Sequence, residues 1–197
     1  MNDADFSFHF VDQSRSGSKT TTLIGDDTTT GSIQSLSGAA AALAVVRTAG
    51  GTIYVKGSSP ALQSALGLSS VTALTVAGKW LSLEASDQPY QSVAAALDPQ
   101  KEIDSFTPAQ PFTESNPRRF HDRMVVGISG PVSGGTGATH TVTLYVPTEA
   151  PYTPVGATLT FGGGSSAGVE AVAFSHWGEQ IHPSTPHPSV SFSSVSS

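Results

Sequence analysis

The stretch between Gly31 and Lys56 places the tightest constraint on the fold, because it joins a helical pattern to a buried strand. Helical spacing relates five apolar residues in its first half, namely Ile33, Leu36, Ala40, Leu43 and Val46. Gly50-Gly51 interrupts the pattern, and Thr52-Ile53-Tyr54-Val55 follows as a β-type run. The sequence therefore predicts a helix that leads directly into a strand.

Alternating aromatic residues mark the N-terminus as one half of a hairpin. Three phenylalanines between residues 6 and 10 alternate with polar residues, which places their rings on one face of a half-buried strand. Turn residues follow, and Lys19–Ile24 returns as a second strand. We predict a hairpin over residues 6–24, with His9 on the opposite face from the rings, at the surface or at an interface.

Later segments continue the mixture of helices and strands. Two segments have helix signals, namely Ser58–Leu66 and Pro89–Leu97. β-Type runs occupy residues 71–76, 80–84, 124–129, 139–146, 157–161 and 169–174. Because hairpins connect many of these runs, we predict an α+β fold, mainly antiparallel β-hairpins with two or three short helices in the N-terminal half.

Changes in composition divide the chain into four segments. Prolines without periodicity between residues 98 and 117 indicate a strap that joins an α+β lobe at 1–97 to a β-hairpin lobe at 118–182. Residues 183–197 alternate small polar with apolar side chains, so we predict an extended C-terminal arm. Such an arm adds as a strand to another chain or to the chain's own outer sheet, and its deletion is expected to leave the core intact.

Charge and composition exclude several classes of partner. Only nine of 197 residues are Lys or Arg and the formal net charge is −6, so we expect no direct nucleic-acid binding. The locally basic segment Arg118–Arg123 is expected either to contact a phosphate or a partner's carboxylate, or to form a solvated turn. The absence of cysteine excludes disulfides and thiolate metal sites. No apolar run reaches the roughly 18 residues of a membrane span, and we identify no Sec-type signal or anchor.

One segment, at residues 164–168, matches G-x-S-x-G, the nucleophile elbow of the α/β-hydrolases. A triad would combine Ser166 and His176 with Glu170 or Glu179. The elbow also requires a helix after the serine, whereas residues 169–174 have a strand pattern. The match is therefore typical of a Gly/Ser-rich hairpin tip, and we expect no enzymatic activity and no catalytic residue.

Histidines are densest after residue 175. His176, Glu179 and His182 carry groups that bind zinc, but their spacing differs from the helical H-E-x-x-H pattern. Gly178 and Pro183 would also interrupt a helix here. Packing with local hydrogen bonds explains the same residues, so we expect neither a metal nor a cofactor.

A second histidine group flanks the hairpin predicted over residues 124–146. His121-Asp122 and His140 are placed where they could meet near its base. A paired His and Asp can transfer protons when a pocket perturbs their pKa values. A partly exposed cross-strand contact explains these residues equally without catalysis.

Three segments resemble small structural proteins of bacteriophage virions. They are the Phe-rich hairpin with its return strand at Lys19-Thr20-Thr21-Thr22, the Ala-rich segment at 38–49 and the strand Thr139–Pro147. The resemblance implies a capsid, decoration or tail component that is present in many identical copies and has no catalytic residues.

The leading hypothesis is therefore a structural subunit of a virus or phage particle. It would be located in the virion, with copies of itself and other virion structural proteins as partners, and without a membrane. The alternative is a secreted β-rich surface- or carbohydrate-binding module. In that case Tyr145, Tyr152 and Trp177 are the stacking platforms.

Overall fold

The described part of the chain is organised around one sheet of 13 strands. The computed structural model describes residues 7–28, 31–38, 41–132, 140–162 and 168–196. The first strands are β1 (Ser7–Ser16), β2 (Lys19–Thr28), β3 (Ser32–Gly38), β4 (Ala42–Arg47), β5 (Ile53–Gly57) and β6 (Trp80–Leu83). The later strands are β7 (Thr113–Glu114), β8 (Arg118–Phe120), β9 (Arg123–Pro131), β10 (Thr141–Pro147), β11 (Gly156–Phe161), β12 (Gly168–Ser175) and β13 (Ser189–Ser191). The helices are α1 (Ser59–Leu66), α2 (Ser70–Val76), α3 (Tyr90–Ala96) and α4 (Pro99–Ser105).

The N-terminal strand β1 lies in the middle of the sheet. On one side β2 to β6 follow in sequence, and on the other side β12, β11, β10 and β9 follow in reverse order. Neighbouring strands are antiparallel, except that β13 pairs with β6 in parallel. Both β7 and β8 pair with β9. The α+β class with a large, mainly antiparallel sheet is thus confirmed, and strands from before residue 98 and after residue 117 belong to the same sheet.

The predicted N-terminal hairpin is formed by β1 and β2. Ser16 pairs with Lys19, and Gly17 between them has a φ of 60°, which a two-residue hairpin turn requires. Phe8 and Phe10 are completely buried on one face of β1. His9 lies on the other face, where its Nδ1 is 2.7 Å from Oδ1 of Asp26.

The helix predicted between Ile33 and Val46 is wrong, because β3 and β4 occupy this stretch. β3 pairs along its length with both β2 and β4, which satisfies its backbone hydrogen-bonding groups. Val45 and Val46 are buried, and their β-branched side chains favour a strand. These tertiary contacts override the helix preference of the alanines. The strand predicted after them is present as β5.

The helices form as predicted at α1 and α3, but α2 replaces a predicted strand. Ser69 caps α2, since its side chain accepts a hydrogen bond from the Thr72 N–H at 3.1 Å. The helix buries Ala73 and Val76, so packing decides its conformation against β propensity. α4 lies in the proline-rich segment, where no helix was predicted, and Asp98 caps it. Within the described ranges, no helix is long and apolar enough to span a membrane.

Two clusters of buried side chains pack on the helix-covered face of the sheet. The aliphatic core comprises residues of β4 to β6, the helices α1 to α3 with their connections, and Phe192, namely Val45, Ile53, Val55, Leu62, Leu66, Leu68, Ala73, Val76, Leu81, Leu83, Val93, Leu97 and Phe192. The aromatic core comprises residues of β1, β10 to β12 and the end of α4, namely Phe8, Phe10, Phe106, Val142, Ala157, Val172 and Phe174.

The C-terminal segment is ordered on its own chain. Val190 pairs with Leu81 in the β13–β6 ladder, and a 3-10 turn at Phe192–Ser194 follows. Phe192 is buried in the aliphatic core. Because the segment contributes a core side chain, we expect its deletion to destabilise the protein, contrary to the expectation from sequence.

Candidate functional site

Leucines from three adjacent strands form part of the floor of a cavity under the helices. Leu23 pairs with Leu36 across β2 and β3, and Leu36 pairs with Leu43 across β3 and β4. Directly paired residues point to the same face of a sheet, so these side chains form a row. All three are only partly buried, which leaves apolar surface available above them.

Helices α1 and α3 complete this space, which we call the interhelical cavity. Its volume is about 360 Å³, within the range of small-molecule sites. The lining is predominantly apolar and comprises Leu23, Gln34, Leu36, Leu43, Val45, Ser64, Ala65, Ser92, Val93, Ala96 and Leu97. The helical residues Ala65 and Ala96 are small, and exposed Ser64 and Ser92 place the opening between the two helices.

The amide of Gln34 is already paired within the protein. Its Nε2 donates to Oδ1 and Oδ2 of Asp27 at 3.2 and 2.9 Å, and both residues are buried. Burial raises the pKa of Asp27 to about 6, although hydrogen bonds from Gln34 and Ser32 act in the opposite direction. With this amide engaged, the lining offers a ligand chiefly hydrocarbon surface.

Two more carboxyl groups, those of Asp12 on β1 and Glu102 on α4, each have a buried oxygen. The pKa of Asp12 is raised to about 8, chiefly by burial and in addition by repulsion from Glu170, a hydrogen bond with Glu170 and repulsion from Glu102. Burial likewise raises the pKa of Glu102 to about 7. In the described part of the chain, Oδ1 of Asp12 and Oε1 of Glu102 are buried without a hydrogen-bond partner. The raised pKa values favour the neutral forms of Asp12 and Glu102. No sequence motif predicts these buried carboxyl groups.

The structure does not assemble the histidine sites considered from sequence. His176, Glu179 and His182 form no metal site, since no described group of three potential ligands is placed to hold an ion. His121 lies in the turn that begins β9, whereas His140 precedes β10 at the far end of that strand pair. Ser166, in the segment that matches the G-x-S-x-G pattern, lies outside the described residues.

The three predicted stacking platforms differ in accessibility. Tyr145 is buried, stacks on Phe120 with ring centroids 5.1 Å apart and bonds through its hydroxyl to Thr158. Trp177 packs against the aromatic core, and its Nε1 donates to the Pro154 carbonyl at 2.9 Å. Tyr152 is 67% exposed. The arrangement therefore provides no continuous aromatic platform.

The sequence missed the residues that line the interhelical cavity, because a helix was predicted where β3 and β4 form. A signal was available in Val45-Val46, two adjacent β-branched residues that favour a strand. Correct strand assignment would have placed Leu36 and Leu43 on one face. Their meeting with Ala65 and Ala96 depends on tertiary packing, which periodicity does not reveal.

Comparison with known proteins identifies a shared fold. The sequence matches no protein-family model and no curated protein. LprF from Mycobacterium bovis matches with a TM-score of 0.57 and 14% identity over 93% of this chain and 90% of LprF. Lipoprotein LppX from Mycobacterium tuberculosis matches with a TM-score of 0.52 and 12% identity over 90% of this chain and 88% of LppX. At these identities the likeness is one of fold.

A third structure is much more distant. A DUF1329 family protein from Desulfovibrio piger has a TM-score of 0.25 and 7% identity over 87% of this chain and 84% of its own. A score this low supports no argument about this chain.

The predicted virion structural subunit is wrong. About nine-tenths of the chain has the fold of LprF and lipoprotein LppX, and this overturns the resemblance to phage structural proteins. The expected virion location and virion partners are wrong with it. The resemblance rested partly on an Ala-rich helix at 38–49, where β4 is formed instead.

Proposed function

We propose that the protein is a non-enzymatic binding protein for an apolar ligand with a hydrocarbon chain, held in the interhelical cavity. The observation that carries the proposal is the cavity itself, lined mainly by hydrocarbon and open between α1 and α3. Ligand sites of this kind combine an apolar lining with few polar groups. Burial of a hydrocarbon chain gains roughly 25 cal/mol per Å² of apolar surface removed from water.

The proposal includes a secreted or cell-envelope location. Its support is the fold shared with lipoprotein LppX. It retains the binding-module alternative drawn from the sequence, with an apolar ligand in place of a carbohydrate. Tyr145 is buried and stacked on Phe120, so it is not available to stack on a sugar.

Displacement of an uncharged fluorescent probe tests the proposal. N-phenylnaphthylamine is expected to bind with increased emission and to be displaced by dodecanol, because neither compound needs a charged partner. Ala96→Phe fills the space between the helices and is expected to abolish probe binding. Ala95→Phe on the same helix adds the same volume outside the cavity lining and is the matched control.

The two variants separate a ligand site from general surface adsorption. Equal probe binding by Ala96→Phe and the unmodified protein, in samples with cooperative thermal transitions, would contradict the proposal. Loss of binding in both variants would also contradict it, since the effect would then not depend on the cavity.

A further inference from the structure

A second cavity, the hairpin cavity, lies where the β8–β9 turn, the β10–β11 loop and the end of β12 meet. Its volume is about 510 Å³, which accommodates a small organic molecule. It shares no lining residue with the interhelical cavity. It is therefore an independent site, and nothing in the following argument depends on the proposed apolar ligand.

Two strained backbone positions converge on the hairpin cavity. His121 and His176 both line it, and both have a φ of 53°. Among the described residues, they are the only ones other than glycine with positive φ. His121 begins a two-residue turn, where glycine or asparagine is favoured. Costly conformations of this kind concentrate at binding sites, because the side chain is required there.

Arginines are concentrated in the segment that contributes Arg123 to this cavity. Three of the chain's nine Lys and Arg residues lie between positions 118 and 123. Arg118 lies over the Tyr145 ring at 4.5 Å, and Nε of Arg119 donates to the His121 carbonyl at 3.3 Å. Arg123 lines the cavity, and its guanidinium has no ion-pair or hydrogen-bond partner in the described part of the chain.

The acidic neighbours leave Arg123 available. Asp122 also lines the hairpin cavity, and Glu149 lines an adjoining depression that shares Arg123. Neither carboxylate forms an ion pair with Arg123 in the described structure. A guanidinium without a protein partner binds carboxylate and phosphate groups through two parallel N–H donors.

The inner wall of the cavity is aromatic. Trp177 is fixed by its hydrogen bond to the Pro154 carbonyl at 2.9 Å and by its packing against Phe174, with ring centroids 5.8 Å apart. Phe120 is fixed by stacking on Tyr145. A rigid aromatic wall beside an unpaired cation suits a ligand that carries both an apolar body and an anionic group.

We propose that the hairpin cavity binds an organic anion. Its carboxylate or phosphate engages Arg123 and the imidazoles of His121 and His176, and its apolar body lies against Trp177 and Phe120. The ligand is either a soluble aromatic or aliphatic acid or the headgroup region of an anionic lipid, which share this chemistry.

Calorimetric titration of the full chain with naphthyl phosphate tests the proposal. We expect binding that is at least about tenfold tighter than that of naphthol or of inorganic phosphate alone, because each lacks half of the recognised structure. Arg123→Gln is expected to weaken naphthyl phosphate binding at least about tenfold. Arg15→Gln, an exposed arginine at the far end of β1, is the matched control. Equal binding by the Arg123 and Arg15 variants would overturn the proposal.

Glycine substitution of His176 separates binding from structure. Glycine adopts positive φ without strain, so His176→Gly is expected to keep or raise the thermal midpoint while weakening naphthyl phosphate binding. A lowered midpoint with unchanged binding would show that the histidine is structural and would overturn its role. Monomeric short-chain phosphatidic acid distinguishes the two sources of the ligand. Tighter binding of this lipid than of naphthyl phosphate indicates a lipid headgroup, whereas weaker binding indicates a soluble acid. Binding of neither compound would overturn the proposal.

Discussion

The two cores lie under the same sheet face but differ in chemistry. The aliphatic core contains mainly Leu and Val, with Phe192 as its one aromatic ring among the buried residues described. The aromatic core contains four phenylalanines, and Phe8 and Phe174 meet edge to face with ring centroids 5.7 Å apart. Asp12 and Glu102, each with a buried carboxyl oxygen, belong to β1 and α4, which both contribute to the aromatic side.

The difference in core composition indicates that the two parts of the sheet suit different kinds of binding site. The interhelical cavity adjoins the aliphatic core, where small and flexible side chains such as Ala65 and Leu43 leave room for a ligand. The aromatic core holds rings in fixed relative orientations, which supports the rigid wall of the hairpin cavity at Trp177. The aliphatic core itself contains no carboxyl among its described buried residues, whereas Asp12 and Glu102 on the aromatic side have pKa values raised to about 8 and about 7.

Truncation of a buried side chain in each core is expected to give the largest change in stability. Phe8→Ala should lower the free energy of unfolding by about 3–5 kcal/mol, because the ring is completely buried and contacts three other aromatic rings. Leu62→Ala in the aliphatic core should cost about 2–4 kcal/mol. Urea denaturation measures both. A smaller loss for Phe8→Ala than for Leu62→Ala would contradict the greater role assigned to ring packing.

The next effect tests whether the C-terminal segment belongs to the aliphatic core. Phe192→Ala should lower the free energy of unfolding by about 3 kcal/mol, because it removes a buried ring. Ser193→Ala in the same turn is exposed and should change stability by less than about 0.5 kcal/mol. Thermal unfolding at several protein concentrations measures both variants. If Phe192→Ala unfolds like the unmodified protein, the segment is an accessory arm as the sequence suggested.

A glycine in β2 tests how tightly the aromatic core is packed. A Cβ at Gly25 would overlap Cε1 of Phe10, its cross-strand partner. Gly25→Ala should therefore displace the ring and cost about 1–3 kcal/mol. Gly38→Ala is the control, since its Cβ would approach no atom closer than 3.4 Å. If chemical denaturation finds the two variants equally stable, the aromatic core rearranges readily around the added methyl group.

The sequence predicted elements whose signal is local. Alternating phenylalanines predicted the β1–β2 hairpin. A proline and a glycine predicted the start and the end of α1, where Gly67 adopts the left-handed conformation and its N–H donates to the Gln63 carbonyl. The strand pairs β9–β10 and β11–β12 were predicted from β-branched runs. Each of these patterns reports directly on the conformation of its own residues.

Predictions from the sequence are wrong where tertiary contacts determine the secondary structure. Alanine favours a helix, but β4 is a strand because β3 and β5 bond to it on both sides. Val71 and Val76 suggested a strand, but α2 forms because Ala73 and Val76 pack together into the aliphatic core. The cavities are lined by residues far apart in sequence, so no local sequence motif predicts them.

The smallest expected effect concerns pH and the aromatic side of the molecule. The pKa of Glu102 is raised to about 7, chiefly by burial and also by repulsion from Asp27 and Glu170. The pKa values of Asp27 and Asp12 are likewise raised, to about 6 and about 8. A carboxyl with a raised pKa binds more protons in the folded than in the unfolded chain, so its ionisation destabilises the fold. Stability should therefore fall as pH rises from about 4 to about 8.

Substitution of Glu102 tests this mechanism on α4. Glu102→Gln keeps the shape of the side chain but cannot ionise, so it should raise the free energy of unfolding by about 1–2 kcal/mol near pH 9 and change it little near pH 5. Asp104→Asn on the exposed side of the same helix should leave the pH dependence of stability unchanged. Urea denaturation across this pH range measures all three proteins. A gain of the same size at both pH values would mean that Glu102 destabilises through packing and not through its charge, and the chemical contrast between the two cores would then lose its electrostatic part.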